Sequence, residues 1–227
     1  MRFEVISKKG NILKSHALIA FLVLGSALSA APIIVHNTGV DNNDDVVQGN
    51  GSPTSFWLLY AEPTNAGYAF ASTPFGYYNS EYYPDNDRSG WVSPGSNGRA
   101  GARGLYIYRM AFDLTGLNPA TAFIYGTFGT DNIGFMSLNG NAAVATTGPV
   151  DFGAPTAFSF TSGFVEGINT VWVGVVNEVD PTAFRVEFYG ATADPVNGQA
   201  VPEPGTAALL LGGLALAWAG RKRLKQS

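Results

Sequence analysis

The stretch Leu105-Tyr106-Ile107-Tyr108-Arg109-Met110-Ala111-Phe112-Asp113 alternates residue by residue. Tyr106, Tyr108, Met110 and Phe112 share one face, and Leu105, Ile107, Arg109 and Ala111 share the other. A period of two is the signature of a β-strand with one buried face, because successive side chains of an extended chain point to opposite sides.

Similar short runs recur on both sides. Residues 122–129 place Ile124 and Phe128 on one face, Phe123 and Tyr125 on the other. Residues 133–138 end at Asn139-Gly140, a tight-turn dipeptide. Residues 169–177 set Val171, Val173 and Val175 against Trp172 and Val176, and residues 184–189 turn Phe184, Val186 and Phe188 inward and Arg185 and Glu187 outward. Weaker strands are expected at 33–37, 56–60, 68–71 and 157–160, with a short one near Trp91. Gly and Pro punctuate the chain too often for long helices. Eight or nine short strands without an internal repeat predict an all-β fold, an antiparallel two-sheet, jelly-roll-like sandwich. The long Gly/Tyr/Asn/Ser stretch 73–104 reads as a large surface loop.

The chain has 227 residues and no cysteine, which excludes disulfides, thiolate metal sites and cysteine nucleophiles. Its net charge of −4 conceals a division. Between residues 31 and 204 five arginines and no lysine face sixteen acids, a net of −11. Nucleic acid is not an expected partner of such a body.

The basic residues concentrate at the two ends. Arg2, Lys8, Lys9 and Lys14 precede the apolar run 17–28, and small residues follow. This is the organisation of a secretory signal peptide over residues 1–30, cleaved around Ser29, Ala30 and Ala31. Its expected partners are the secretion translocon and signal peptidase. At the other end, Pro202-Glu203-Pro204 precedes an uncharged Leu/Ala/Gly run over 205–220 and the basic cluster Arg221-Lys222-Arg223. A membrane helix whose basic end stays cytoplasmic fits that order. These three parts together resemble the PEP-CTERM sorting domain. The resemblance implies recognition by exosortase, cleavage near Pro202-Glu203-Pro204, and transient anchoring in the inner membrane. It also implies a final place at the surface or in the extracellular matrix of a Gram-negative, exopolysaccharide-producing bacterium.

The expected organisation is a signal peptide over 1–30, a sandwich over 31–190, a linker over 191–200 and a sorting segment over 201–227. Within the sandwich, Phe112-Asp113-Leu114-Thr115-Gly116-Leu117, Thr130-Asp131-Asn132, Leu138-Asn139-Gly140, residues 164–170 and residues 184–188 resemble galactose-binding-domain-like jelly rolls. That family includes carbohydrate-binding modules and many domains that bind no sugar.

Chemistry in the body is sparse. His36 is the single histidine beyond the signal, and no Gly-x-Ser-x-Gly elbow exists. Paired carboxylates for glycoside cleavage would come from Glu62, Glu81, Glu166, Glu178 and Glu187, which read as solvated surface acids. No catalytic residue and no obligate cofactor is assigned. Asp85-Asn86-Asp87-Arg88-Ser89-Gly90 matches the opening of a calcium loop, with Asp85, Asp87 and Ser89 as oxygen donors. Its twelfth position is Ser96 rather than Glu, and an Asp/Asn/Gly-rich stretch serves equally as a turn. Sugar recognition needs aromatic faces beside amides and carboxylates. The residues that qualify are Tyr82, Tyr83 and Trp91, with Asp131, Asn132 and Asn139 as polar contacts at the rim. The same tyrosines would also serve to cover a sandwich edge.

These readings lead to a non-catalytic exported protein whose body binds exopolysaccharide. The alternatives are a structural or adhesion protein that contacts other proteins and, more weakly, a glycan hydrolase.

Overall fold

The computed structural model describes residues 29–47, 51–97, 102–148 and 151–196. The signal segment up to residue 28, the sorting residues Pro202, Glu203, Pro204, Arg221, Lys222 and Arg223, and the apolar run 205–220 lie outside the described residues. Among the described residues no helix is long and apolar enough to cross a membrane.

The described residues form twelve strands in order: β1 (Ala31–Pro32), β2 (Trp57–Thr64), β3 (Gly67–Ser72), β4 (Phe75–Gly76), β5 (Val92–Ser93), β6 (Gly104–Asp113), β7 (Phe123–Asp131), β8 (Ile133–Leu138), β9 (Ala145–Thr147), β10 (Thr156–Phe160), β11 (Ile168–Asn177) and β12 (Ala183–Ala193). They form two antiparallel sheets. The first runs β10-β7-β12-β5-β4, with β1 also paired to β12. The second runs β3-β2-β6-β11-β8-β9. The expected all-β two-sheet sandwich is what the chain forms.

The alternation read in β6 is realised, and the structure makes Tyr106, Tyr108, Met110 and Phe112 its buried face. They join Val171, Val173 and Val175 of β11, Met136 and Leu138 of β8, and Trp57 and Leu59 of β2. The opposing sheet supplies Ile124 and Phe128 of β7, Phe158 and Phe160 of β10, and Phe184, Val186 and Phe188 of β12. Phe184 bridges the layers, with its ring 4.1 Å from Tyr108 and 5.3 Å from Trp57. Each such side chain contributes about 1.5–3 kcal/mol by leaving water. Asn139 and Gly140 both adopt positive φ, +53° and +74°, as a tight turn after β8 requires.

Four expectations are corrected. The segment 33–37 is not a strand; only Ala31–Pro32 pairs, opposite Ala193 and Thr192. The chain beyond is held by isolated backbone bonds, Ile33 N–H to Ala191 O and Thr38 N–H to Val186 O, and by side-chain bonds, as when Thr38 Oγ1 donates to Gly90 O and accepts from Val186 N–H. The linker begins later than residue 191, because β12 runs to Ala193 and Asn118 N–H then donates to Asp194 O at 2.7 Å. The stretch 73–104 is not an open loop: it contributes β4 and β5 and lays residues 77–91 across the outside of the first sheet. That cover produces the fourth correction. Arg185 and Glu187 point away from the core as their position in β12 demands, yet they are only 2% and 7% exposed.

Candidate ligand-binding surface

The loop that covers Arg185 folds on its own polar residues. Asn86 Oδ1 accepts the N–H groups of Arg88 and Ser89, each at 2.9 Å, which makes the turn. Asp85 Oδ1 accepts Trp91 N–H at 2.9 Å. The turn is then tied to β12. Arg185 Nε donates to Ser89 Oγ at 2.9 Å, its Nη1 donates to Pro84 O, and its Nη2 lies 3.3 Å from Glu187 Oε2. Glu187 Oε2 also accepts from Asn86 Nδ2 at 2.8 Å and Ser89 Oγ at 3.0 Å. The Tyr83 ring lies 4.9 Å from the Arg185 guanidinium carbon. This is a buried polar clasp in which both charges have partners.

The expected sugar-binding aromatics belong to that clasp. Trp91 is 2% exposed, packs between Tyr82 and Tyr83 at 4.5 and 4.8 Å, and donates Nε1–H to Tyr83 O. Tyr82 is also buried, and its hydroxyl donates to Asp131 Oδ2 at 2.6 Å. A Cβ on Gly129 would stand 2.8 Å from the Tyr83 ring and 3.0 Å from Trp91, so only glycine lets these rings lie on the sheet. The faces of Trp91 and Tyr82 are therefore closed to a ligand, and burial pushes the hydroxyl pKa of Tyr82 and Tyr83 well up.

The polar partners expected at the rim are likewise engaged inside the protein. Asp131 Oδ1 accepts from Asn132 Nδ2, and Asn132 Oδ1 accepts Glu178 N–H. Asn139 stands at the other end of the six-residue β8, a strand about 20 Å long at ~3.3 Å per residue. Its amide donates to Gly163 O and Asn169 Oδ1 and accepts from Thr170 N–H. So Tyr82, Tyr83, Trp91, Asp131 and Asn132 come together, and Asn139 does not join them.

The calcium-loop residues are divided in the same way. Asp85 and Ser89 serve the clasp, while Asp87 is exposed on the turn. Among the described residues no group of three or more His, Cys, Asp or Glu side chains is disposed to hold a metal ion. His36 Nδ1 bonds Asp44 Oδ1 at 2.7 Å, with its ring stacked 3.5 Å from Phe56.

The aromatic surface that does face solvent lies on the second sheet. Alternation turns Arg109 and Trp172 outward, directly opposite one another across β6 and β11. A register shift between Leu59 and Ala61 makes Tyr60 the extra residue of a β-bulge. The bulge lays Tyr60 against both: its ring is 4.9 Å from the Arg109 guanidinium and 5.1 Å from Trp172. Arg109 is also 5.9 Å from the Trp172 ring. Phe70 of β3 extends the row, 6.3 Å from Tyr60 and 67% exposed. Beyond β11, Phe135 lies over Gly174, where a Cβ would meet its ring at 2.2 Å. Phe70, Tyr60, Trp172 and Phe135 thus run across the sheet around one guanidinium. The pattern was visible in part: Arg109 and Trp172 fall on the outward faces of two strongly alternating strands. Tyr60 was not, because a bulge breaks the period that would have placed it.

A smaller exposed group occupies the first sheet, where Phe123 stacks 5.3 Å from Tyr125 and Tyr125 meets Tyr189 at 6.3 Å. There the neighbouring cation, Arg88, is committed to Phe188 O and Glu187.

Comparison with known proteins addresses the C-terminal end. Residues 200–223 match the PEP-CTERM protein-sorting motif, and this span includes Pro202, Glu203, Pro204, Arg221, Lys222 and Arg223. The motif is the recognition signal of exosortase and implies export, transient membrane anchoring and processing. Among curated proteins none matches the chain. Among solved structures, the crystal structure of the GH31 alpha-xylosidase from Xanthomonas citri is similar over 65% of this chain and 18% of that one, at 12% identity and a TM-score of 0.28. This chain therefore spans less than a fifth of that enzyme, and a likeness at that TM-score carries no argument about activity.

Proposed function

We propose that this protein is an exosortase-processed surface or matrix protein whose sandwich binds extracellular polysaccharide without catalysing a reaction. Three further steps belong to the proposal: signal-peptide cleavage around Ser29–Ala31, passage through the translocon, and transient anchoring by residues 205–220. So do a galactose-binding-like jelly-roll ancestry for residues 103–190 and a final location on a Gram-negative cell. The observation that carries the binding function is the solvent-facing row Phe70–Tyr60–Trp172 with Arg109 held among its rings. Aromatic faces stack on the C–H faces of sugars, and a sheet surface suits an extended polymer better than a closed pocket would. The groove beside Asn118, Thr161 and Phe164 favours the same reading, since it is lined by no charged side chain.

The test is retention on polysaccharide from an exosortase-bearing host, measured by affinity electrophoresis. Trp172→Ala and Tyr60→Ala should each weaken binding about 2- to 10-fold, the scale of one aromatic contact. Failure to bind any polymer, the host's own included, removes the proposal.

The adhesion reading is favoured by one feature. Strand β3, Gly67–Ser72, is an uncharged edge with Tyr68 and Phe70 exposed, a form that invites pairing with another strand. Light scattering that shows only monomers at high concentration would count against it as a self-association edge.

A further inference from the structure

Arg109 differs from the other arginines placed in the sandwich wall. Arg185 is enclosed by Ser89, Pro84, Glu187 and Tyr83, and Arg88 is bonded to Phe188 O beside Glu187. Arg109 is half-buried in the middle of a sheet face, with Tyr60 and Trp172 against its guanidinium. Among the described residues it has no carboxylate within ion-pair distance and no hydrogen-bond acceptor. Its immediate row is uncharged: Leu58 on β2, Trp172 on β11 and Ser137 on β8. The next outward position on each side of it along β6 is Ile107 or Ala111.

Two rings therefore fix the guanidinium plane by cation–π contact while its N–H groups keep no protein partner. A fixed guanidinium presents two parallel N–H donors at the spacing of a carboxylate, a match that a hydroxyl does not make. The surrounding rings offer stacking on either side. The ligand that satisfies both features at once is a sugar that carries a carboxylate on its ring.

We infer that the outer face of the second sheet selects uronate-bearing, acidic polysaccharide, with Arg109 as the specificity-determining residue. This rests on the polysaccharide-binding function proposed above and names its ligand class. The body as a whole is acidic, −11 over residues 31–204, and repels anionic polymers at long range. That repulsion is screened beyond about 8 Å at physiological salt, whereas a direct contact of the half-buried Arg109 with a carboxylate is screened much less. Affinity for an acidic polymer should accordingly persist, or rise, as salt increases from very low values, the reverse of a purely electrostatic attraction.

The experiment uses the full chain in mild detergent and three probes: polygalacturonate, the same polymer fully methyl-esterified, and poly-glutamate. Calorimetry or affinity electrophoresis should give at least about tenfold tighter binding to polygalacturonate than to its ester. Arg109→Gln should abolish that preference, bringing the affinity for polygalacturonate down to that for the ester. Arg109→Lys, which keeps the charge and loses the fork, should restore only part of it. Phe123→Ala, on the opposite sheet, should change nothing. Equal affinity for acid and ester, unaffected by Arg109→Gln, overturns the acidic preference and leaves polysaccharide binding standing. Arg109-dependent binding of poly-glutamate as tight as that of polygalacturonate overturns the assignment to sugar. Binding to none of the three polymers while the host's own polysaccharide is still retained overturns the acidic preference alone, and loss of retention on the host polysaccharide as well overturns both.

Discussion

Arg185 and Glu187 sit two residues apart on the outward face of β12, Nη2 to Oε2 at 3.3 Å, and both are sealed from solvent by the loop that their charges hold down. Breaking one partner of a buried pair leaves the other without compensation, and the cost is about 3–5 kcal/mol. Arg185→Met should therefore lower unfolding free energy by about 3 kcal/mol, read from urea titration. The double variant Arg185→Met/Glu187→Gln should recover part of that loss because the orphaned charge is gone. An equal effect of Glu187→Gln in the parent and in the Arg185→Met background would show that the pair is uncoupled.

The same loop depends on a glycine on the neighbouring strand. Gly129 pairs with Arg185, and the Tyr83 and Trp91 rings occupy the space its side chain would need. Gly129→Ala must lift those rings or shift the strand, at a cost of about 1–3 kcal/mol. Tryptophan emission should move to the red and become more accessible to iodide as Trp91 is uncovered. Unchanged emission with unchanged stability would mean that the loop is not seated on Gly129.

The sandwich was legible because its inward faces alternate cleanly. The strands at β6, β11 and β8 follow directly from Tyr106-x-Tyr108-x-Met110, Val171-x-Val173-x-Val175 and the turn at Asn139-Gly140. The cover on the first sheet was not legible, for a physical reason. Arg185 and Glu187 look like ordinary solvent-facing residues of a strand, and nothing local shows that a segment about a hundred positions earlier bonds to them. The same long-range bonds turned Asp85, Ser89, Tyr82 and Trp91 from apparent ligand groups into structural ones. Conversely, alternation separated Trp172 and Arg109 from the other faces of their strands, but that these faces are outward came from the packing of the sheets, and their convergence with Tyr60 needed the register shift in β2. The sorting motif was legible outright, since it is a linear signal that needs no tertiary context.

Tyr108 carries a polar group where the core has no use for one. Its side chain is fully buried between the sheets beside Phe184, and its hydroxyl has no hydrogen-bond partner among the described residues. An unsatisfied buried hydroxyl costs about 1–3 kcal/mol. Tyr108→Phe removes the group and keeps the ring, so it should raise the unfolding free energy by about 1 kcal/mol, visible as a higher urea midpoint. A loss of stability instead would reveal an internal partner for the hydroxyl.

Asp131 gives the protein a pH dependence of unusual sign. Burial raises its carboxyl pKa above the ordinary 3.8, although the Tyr82 hydroxyl bond opposes the shift. A carboxyl whose folded-state pKa is raised binds its proton more tightly in the folded protein. Its contribution to stability is thus fully present below pH 3.8 and is lost as pH climbs through the raised value. Asp85, raised by the same cause and paired less closely with Arg185 at 4.0 Å, acts in the same direction. Asp131→Asn cannot ionise, and its amide oxygen can still accept from Tyr82. The melting temperature of the variant minus that of the parent should therefore increase as pH rises above 3.8 and level off once the pH has passed the raised value. A difference that stays flat across that range, or falls, would place the Asp131 carboxylate in an environment that favours its charge.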